Sequence, residues 1–173
     1  MDYIFTLKYQ LGEGENDTAL VVERLGEAGC DDALVGIGLP GRIALEFTRE
    51  AVSAEAALHS ALADVHRALP QARLIEVAPD LVGLSDMAEI AGVSRQNMRK
   101  LMLGHPGSFP LPVHEGSTSL WHLADILGWL QGRDYTLAQS VRDVAQAAMQ
   151  VNILREQRRL PQPLTPQLQA LAD

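Results

Sequence analysis

The sequence predicts a mixed α+β fold with three parts: a strand-rich N-terminal half, two short helices followed by a hairpin, and a long C-terminal helix. In residues 1–80, some segments have apolar residues at every second position, as strands do. These segments alternate with others in which apolar residues recur about every 3.6 positions, as in helices. Residues 84–103 contain two helical patterns separated by a glycine, and residues 137–151 repeat apolar residues at spacings of four and three. The predicted boundaries are 1–80, 81–133 and 134–160, followed by a proline-rich tail at 161–173.

Six elements are predicted in the N-terminal half. In order, they are a strand at 2–11, a helix at 18–29, strands at 33–38 and 42–49, a helix at 53–69 and a strand at 72–77. The order βαββαβ predicts a ferredoxin-like sandwich of four antiparallel strands under two helices. This architecture indicates no particular function, because many unrelated activities share it.

Residues 84–103 predict two helices joined by a tight turn. Ser85 is a suitable N-cap for the first helix, Gly92 suits the turn, and Ser94 is a suitable N-cap for the second. Ala88 is followed by Gly92 four residues later and by Met98 six residues after that. This is the spacing of a helix-turn-helix, in which small residues let the helices cross closely and an apolar residue fills the angle.

The second helix of this pair carries side chains that can bind DNA. Arginine can make two hydrogen bonds to guanine in the major groove, and glutamine or asparagine can make two to adenine. We expect Arg95 and Gln96 to contact bases, because residues at the start of such a helix point at base edges. The other predicted DNA-binding residues on this polar side are Ser94, Asn97, Arg99 and Lys100, of which Ser94, Arg99 and Lys100 are expected at backbone or mixed contacts. The alternative is an ordinary amphipathic helix pair with a solvated basic face.

The next segment predicts a β-hairpin around a glycine and then one more helix. Residues 81–133 together resemble the winged helix-turn-helix of the excisionase, AlpA and MerR families. The matching residues are Ala88-Glu89-Ile90-Ala91-Gly92-Val93-Ser94-Arg95, Phe109-Pro110-x-Pro112, Trp121, Asp125-Ile126 and Trp129-Leu130. The resemblance implies sequence-specific binding to duplex DNA, with the second helix in the major groove and the wing on the neighbouring backbone. The predicted hairpin corresponds to the wing of these families, which is usually rich in arginine. Here it departs from that pattern, since it carries His114, Glu115, Ser117, Thr118 and Ser119.

The net charge of −8 lies outside the predicted DNA-binding part. Residues 1–80 carry 14 acidic and 6 basic side chains, residues 81–135 carry 5 and 4, and residues 136–173 carry 3 and 4. Long-range attraction to phosphate should therefore be weak, so affinity should depend on a local basic face and on dimerisation.

The composition favours a soluble protein in a reducing compartment. Hydrophobic residues make up 47% of the chain, and no apolar run approaches the roughly 20 residues that cross a bilayer. The N-terminal residues Met1 to Tyr3 begin like a strand rather than like a signal peptide. Cys30 is the only cysteine, so it can form neither an internal disulfide nor a cysteine-rich zinc site. We therefore predict a cytoplasmic protein without a membrane partner.

No cofactor site or RNA-binding face is predicted in the N-terminal half. Gly36 to Gly41 matches the dinucleotide-binding pattern G-x-G-x-x-G, but a strand rather than a helix follows it, which favours a plain hairpin. Tyr3, Phe5 and Phe47 share the apolar face of the predicted sheet. They are therefore expected in the core rather than on a platform that stacks bases.

No metal site or catalytic constellation is predicted either. His59 and His66 are seven residues apart on one helix, or about 10 Å by helical rise, which is too far to share a metal. The histidines around the predicted wing, which have no paired ligand spacing, are His105, His114 and His122. Acidic residues are plentiful, but no pattern pairs two of them or joins a nucleophile to a base. The chain is therefore not expected to be an enzyme.

The segment 134–160 is predicted to form a long helix that starts at a capping box, Thr136-x-x-Gln139. This helix carries an apolar seam over about two heptads. Its members are Leu137, Val141, Val144, Ala148 and Val151. We favour a seam between two copies, because a dimer would place two DNA-binding helices about one DNA turn apart. The alternative is a helix that packs on its own chain. The tail at 161–173 contains three prolines and is not expected to fold by itself.

These observations favour a homodimeric transcription regulator that binds duplex DNA. Its N-terminal half would sense a ligand, extend the dimer or bind a second protein. The alternative is an antitoxin-like or defence-system subunit, in which the acidic N-terminal half and the tail bind a partner protein. A third and less favoured hypothesis is an enzyme or ligand-binding domain fused to the DNA-binding part.

Overall fold

A computed structural model describes residues 1–172. The strands in this range are β1 (Asp2–Gln10), β2 (Ala33–Ile37), β3 (Arg42–Glu50), β4 (Arg73–Ala78), β5 (Leu81–Val82) and β6 (Trp121–His122). The helices are α1 (Thr18–Glu27), α2 (Ala54–Ala68), α3 (Leu84–Ala91), α4 (Arg95–Gly104), α5 (Leu123–Gln131), α6 (Gln139–Arg158) and α7 (Pro166–Leu171). Across the described range, no helix has both the length and the apolar character that a membrane span requires.

The four long strands form one antiparallel sheet in the order β2-β3-β1-β4, which confirms the predicted α+β class and the antiparallel sheet. Phe5 of β1 lies opposite Phe47 of β3, and their ring centroids are 5.3 Å apart. Both rings and Tyr3 are buried, so the predicted core role of these aromatic residues is confirmed. The same core contains Leu25 of α1 and Leu58 of α2, and both helices therefore cover this face of the sheet.

The described residues form two hydrophobic cores, and α6 contributes to both. The first core lies between the four-stranded sheet and helices α1 and α2, and it includes Val144, Ala147 and Ala148 of α6. The second is built from β5, β6, α3, α4 and α5, and it includes Ala145 of α6. The predicted boundary near residue 80 falls between these two cores.

The two edges of the sheet have different surroundings. At β4, the Asn152 amide of α6 bonds both backbone groups of Val77, and Arg155 Nε donates to Leu74 O at 2.7 Å. The side chains of α6 thus occupy backbone groups of β4 that a further strand would otherwise bind. At the other end of the strand order, no strand within residues 1–172 pairs with the outer side of β2.

Two predicted helix starts are wrong. Gly83, rather than Ser85, is the N-cap of α3, and the Asp86 carboxylate accepts from the Gly83 N–H at 3.3 Å. This contact of Asp86 with the N-cap backbone helps to fix the position at which α3 begins. The long helix begins at Gln139 after the N-cap Ala138, rather than directly after Thr136.

The predicted hairpin and tail also differ from the structure. The hairpin retains a single bridge between His114 and Leu120, because Trp121 and His122 pair with β5 instead. The tail, which was not expected to fold, contains the short helix α7 after the N-cap Thr165. The last residue of the predicted tail, Asp173, lies outside the described residues.

Candidate nucleic-acid interface

The connection between α3 and α4 is fixed by one glycine and one helix cap, as predicted. Gly92 has a φ of +72°, a left-handed conformation that costs other L-residues about 1–2 kcal/mol. The next residue, Val93, donates its N–H to Ala88 O at 2.9 Å and closes the end of α3. Ser94 Oγ accepts from the Asn97 N–H at 3.1 Å, so α4 begins at the predicted position.

Met98 anchors α4 to the second core. Its side chain has no exposed surface, and the same core contains Met87 and Ala88 of α3 and Leu127 of α5. Because Met98 is the buried residue of α4, the opposite side of the helix must face solvent. The predicted buried position of Met98 is therefore confirmed.

All six residues predicted to bind DNA are exposed. They are Ser94, Arg95, Gln96, Asn97, Arg99 and Lys100. The helix contains no acidic residue, and within residues 1–172 its three basic side chains form no ion pair. None of these three cations is thus in direct contact with a carboxylate of the described residues.

The side of α4 opposite Met98 carries Gln96, Lys100 and Leu103, since successive residues are about 100° apart around a helix. Leu103 is 60% exposed and was not identified from the sequence. An apolar side chain among polar ones can contact the methyl group of thymine in the major groove. Leu103 could have been found from its spacing of seven after Gln96, which places both on one side of the helix.

Arg95 and Arg99 lie one turn apart and line a groove between α4, the start of α3 and the loop at 115–119. Asp86 and Glu115 line the same groove, which has a volume of about 480 Å³. Two guanidinium groups therefore share this space with two carboxylates, whereas Lys100 on the outward side does not line it. The groove was not predictable from the sequence, because it forms only when the loop folds back beside α4.

An aromatic cluster supports the C-terminal end of α4. His105 Nδ1 lies 2.9 Å from Leu101 O and must donate to it, because a carbonyl oxygen can only accept. The His105 ring meets Trp129 edge-on, and the Arg133 guanidinium lies 4.1 Å from the centroid of Trp129. Arg133 Nη1 is also 3.2 Å from His105 Nε2, which accepts from it when the ring is neutral. His105 thus joins the end of α4 to the residue that follows α5.

A buried polar junction joins this region to the four-stranded sheet. Asp80 is 1% exposed, and its carboxylate lies 2.8 Å from Asn152 Nδ2 of α6 and 2.7 Å from His122 Nδ1. The Asp80 carbonyl oxygen accepts from the Leu123 N–H at 2.7 Å, at the start of α5. This junction was not predictable from local sequence patterns, because the side-chain partners of Asp80 lie 42 and 72 residues away.

The glycine motif of the N-terminal half lies in a turn of the four-stranded sheet. Gly36 to Gly41 spans the end of β2 and the turn into β3, which confirms the predicted hairpin. Within residues 1–172, no group of three or more histidine, cysteine, aspartate or glutamate side chains is arranged to hold a metal ion.

The residues predicted to form a dimer seam contact their own chain, as the alternative prediction for this helix has it. Val144 and Ala148 are buried in the first core, and Val151 packs against it. Leu137 and Val141 pack against the second core. Because the fold places α6 against both cores, Val144 and Ala148 are covered by their own chain, whereas Leu137, Val141 and Val151 remain partly exposed.

No family model matches the chain, and neither a curated protein nor a solved structure was found to be similar to it.

Proposed function

We propose that this chain is a sequence-specific DNA-binding regulator of transcription that acts in the cytoplasm as a homodimer and catalyses no reaction. In this proposal α3 and α4 form a helix-turn-helix, the loop at 113–120 is a short wing, and residues 1–80 form a ferredoxin-like domain. Helix α4 lies in the major groove, and the loop lies against the neighbouring backbone.

The observation that carries the proposal is the exposed basic surface of α4. The arginines that pair with carboxylates elsewhere in residues 1–172 are Arg49, Arg67, Arg155 and Arg159. Arg95, Arg99 and Lys100, by contrast, are exposed and lie on a helix without an acid. Cations without a partner inside the protein can neutralise phosphates and release the counterions bound there.

The structure supports a distinct role for each side of α4. Gln96 is both near the N-terminus of α4 and opposite the anchor Met98, so it is the side chain best placed to contact a base edge. Arg95 and Arg99 point toward the loop and contact the DNA strand on that side. Lys100 lies one turn further along, where it reaches a phosphate or makes a mixed contact.

Selection of bound sequences from random duplex DNA at moderate salt tests the proposal directly. A palindromic consensus would support both base recognition and the dimer, whereas a pool without any enriched sequence would overturn base recognition.

Binding to the selected duplex can then be measured for Arg99→Ala/Lys100→Ala. Its matched control is Arg158→Ala/Arg159→Ala, which removes the same charge from the exposed end of α6. We expect the α4 variant to bind about 10-fold more weakly or worse and to reduce the salt slope by about 2, with the control near wild type. Equal losses for the two variants would contradict a specific role for α4.

The C-terminal segment favours a second function, the binding of a partner protein. Leu164, Leu168 and Leu171 lie at spacings of four and three, and their exposed fractions are 51%, 55% and 82%. Leu168 and Leu171 lie on the short helix α7, and Leu164 lies just before its N-cap Thr165. A segment with exposed leucines at this spacing is suited to dock on an apolar groove of another protein. Isolation of the full chain and of a chain ending at residue 160 from the native host tests this function. A stoichiometric partner lost only on truncation would support it, and no difference between the two chains would contradict it.

A further inference from the structure

We propose that the outer edge of β2 docks against β2 of a second copy of this chain. The two strands pair antiparallel across a two-fold axis, and the two four-stranded sheets become one sheet of eight strands. This inference rests on the homodimer of the proposed function and names its interface, but it does not depend on DNA binding.

The two edges of the sheet differ in how their backbone groups are bonded. The edge at β4 is closed by Asn152 and Arg155 of α6, which bond its backbone. Proteins commonly protect an exposed edge with charged residues, proline or a bulge, because unpaired backbone groups bind other strands. The sequence of β2, Ala-Leu-Val-Gly-Ile, contains no charge and no proline, and its pairing with β3 is regular. The edge at β2 is therefore open and uncharged, whereas the edge at β4 is closed by α6.

The hydrogen-bond pattern determines which backbone groups point outward. Asp32 O accepts from the Thr48 N–H at 3.1 Å, on the side of β3. Antiparallel pairs alternate between bonded and non-bonded positions, so the backbones of Leu34 and Gly36 also bond toward β3. Val35, which lies between them, directs both its N–H and its carbonyl toward the free edge. A two-fold axis at Val35 lets the two copies exchange both of these bonds.

The side chains of β2 are complementary to themselves in this register. With the axis at Val35, Leu34 of one copy lies opposite Gly36 of the other, on the face of the sheet that points away from the core. Leu34 is 73% exposed, and Gly36 has no side chain to oppose it. Leu34 of each copy therefore faces Gly36 of the other, and this pair occurs twice across the axis. A strand of unrelated sequence would not in general match this arrangement.

The charges that flank β2 are also complementary. Asp31 is exposed immediately before β2, and Arg42 is exposed at the start of β3, near the other end of β2. Antiparallel pairing brings the acidic end of one copy to the basic end of the other. The exposed side chains of Ile37 and Leu39 add apolar surface at the same end. These features fit a second copy of this chain.

Gly36→Leu tests the interface with little effect on the single chain. A Cβ atom at Gly36 would meet only Ala44 O, at an ordinary distance of 3.8 Å, whereas in the dimer the leucine would meet Leu34 of the second copy. The full chain is studied without DNA by sedimentation velocity at concentrations up to about 200 μM, because dimerisation depends on concentration. We expect a dimer for the wild type and a dissociation constant at least about 10-fold higher for Gly36→Leu. The control Gly26→Leu adds the same side chain to exposed α1 and should leave the dimer unchanged.

Two further variants keep the test decisive. Leu34→Ala/Gly36→Leu exchanges the large and small positions and should restore much of the affinity. Val35→Pro removes an N–H that faces the free edge, so it should abolish the dimer while thermal unfolding shows a folded chain.

A wild-type chain that stays monomeric over this range would overturn the interface, as would a dimer unaffected by both Gly36→Leu and Val35→Pro. A monomer that still selects a DNA consensus would overturn the interface and the homodimer but leave base recognition by α4 standing. A β2 dimer that selects no sequence would overturn the DNA-binding function and leave the interface standing.

Discussion

The side chain of Asn152 pairs with the backbone of Val77 in the way that a neighbouring strand would. The Val77 N–H donates to Asn152 Oδ1 at 2.9 Å, and Asn152 Nδ2 donates to Val77 O at 2.8 Å. The same nitrogen donates to the buried carboxylate of Asp80 at 2.8 Å. One amide group thus closes the edge of the sheet and holds α6 to the junction that leads into the helix pair α3–α4.

Replacing Asn152 by alanine should lower the free energy of unfolding by about 2–4 kcal/mol, because two backbone groups of Val77 and one oxygen of Asp80 lose their partner in a buried place. Urea denaturation followed by circular dichroism measures the change. The exposed Gln150 lies on the same helix, and Gln150→Ala should cost less than about 0.5 kcal/mol. Similar losses for the two variants would contradict the role of Asn152.

Arg49→Met should lower the free energy of unfolding by about 3–5 kcal/mol. The guanidinium is nearly buried, bonds Asp32 through two nitrogens at 2.8 Å each and bonds Asp64 at 2.7 Å, so its removal leaves two carboxylates without their shared cation. The Asp32 hydrogen bonds, more than those of Asp64, hold the pKa of Arg49 above its ordinary value. Chemical denaturation provides the measurement.

Arg49→Lys keeps the charge but cannot reproduce the planar fork, so it should recover only part of this stability. Full recovery by lysine would show that charge alone suffices. Arg73→Met, at an exposed position of β4, is the control and should have little effect.

The stability of the chain should fall at alkaline pH in part because of Cys30. Burial, and then the nearby Asp64 carboxylate, raise the pKa of the Cys30 thiol from 9.0 to about 11. The folded chain therefore keeps this proton where the unfolded chain has released it, and the stabilisation is complete below pH 9 and is lost as the pH rises toward 11. Unfolding free energies of wild type and Cys30→Ala, measured over this range, should show a flatter decline for the variant. Parallel curves would refute the assignment to Cys30.

Gly92→Val should destabilise the turn between α3 and α4 by about 1–2 kcal/mol through backbone strain alone. The φ of +72° is unfavourable for a branched residue, whereas a Cβ atom at this position would meet no other atom within 4 Å. Gly92→Asn should cost less, because asparagine tolerates the left-handed conformation. Thermal unfolding of the two variants compares them, and an equally large loss for asparagine would point to a steric cause.

Gln96→Ala should cost about 1–3 kcal/mol on the selected duplex and relax the preference at one base pair. Lys100→Ala should weaken specific and random duplexes alike and reduce the salt slope by about 1. Fluorescence anisotropy on both kinds of duplex, at several salt concentrations, separates the two effects. A loss of specificity with Lys100→Ala alone would reverse the roles that the geometry of α4 supports.

Local patterns predicted the elements whose causes are local. The order of strands and helices in the N-terminal half follows from the spacing of apolar residues. The predicted cap at Ser94 follows from a side chain that accepts from the N–H group three residues later, and Ser53 caps α2 in the same way. The turn at Gly92 was predictable for the same reason, because a single residue carries the required conformation.

Features that depend on the assembled fold were not predictable in this way. Val144 and Ala148 repeat at a spacing that suits a second copy as well as the same chain, and only the position of the sheet beside α6 decides between them. The partners of Arg49 and Asp80 are distant in sequence, so neither buried network shows a local pattern. The groove beside Arg95 and Arg99 also needs a loop some 20 residues away to fold back.

Helix α6 supplies apolar side chains to both cores. Neither half of the chain can therefore be removed without exposing apolar surface of the other. A fragment that ends at residue 133 would lack Ala145 from the core that contains α3 and α4. A fragment without α3 and α4 would leave one side of α6 exposed to solvent. Separating the two halves thus requires global unfolding, and we expect heat to melt the molecule in a single cooperative step. A displacement of the sheet would be transmitted to the helix pair α3–α4 through α6, because this helix packs against both cores.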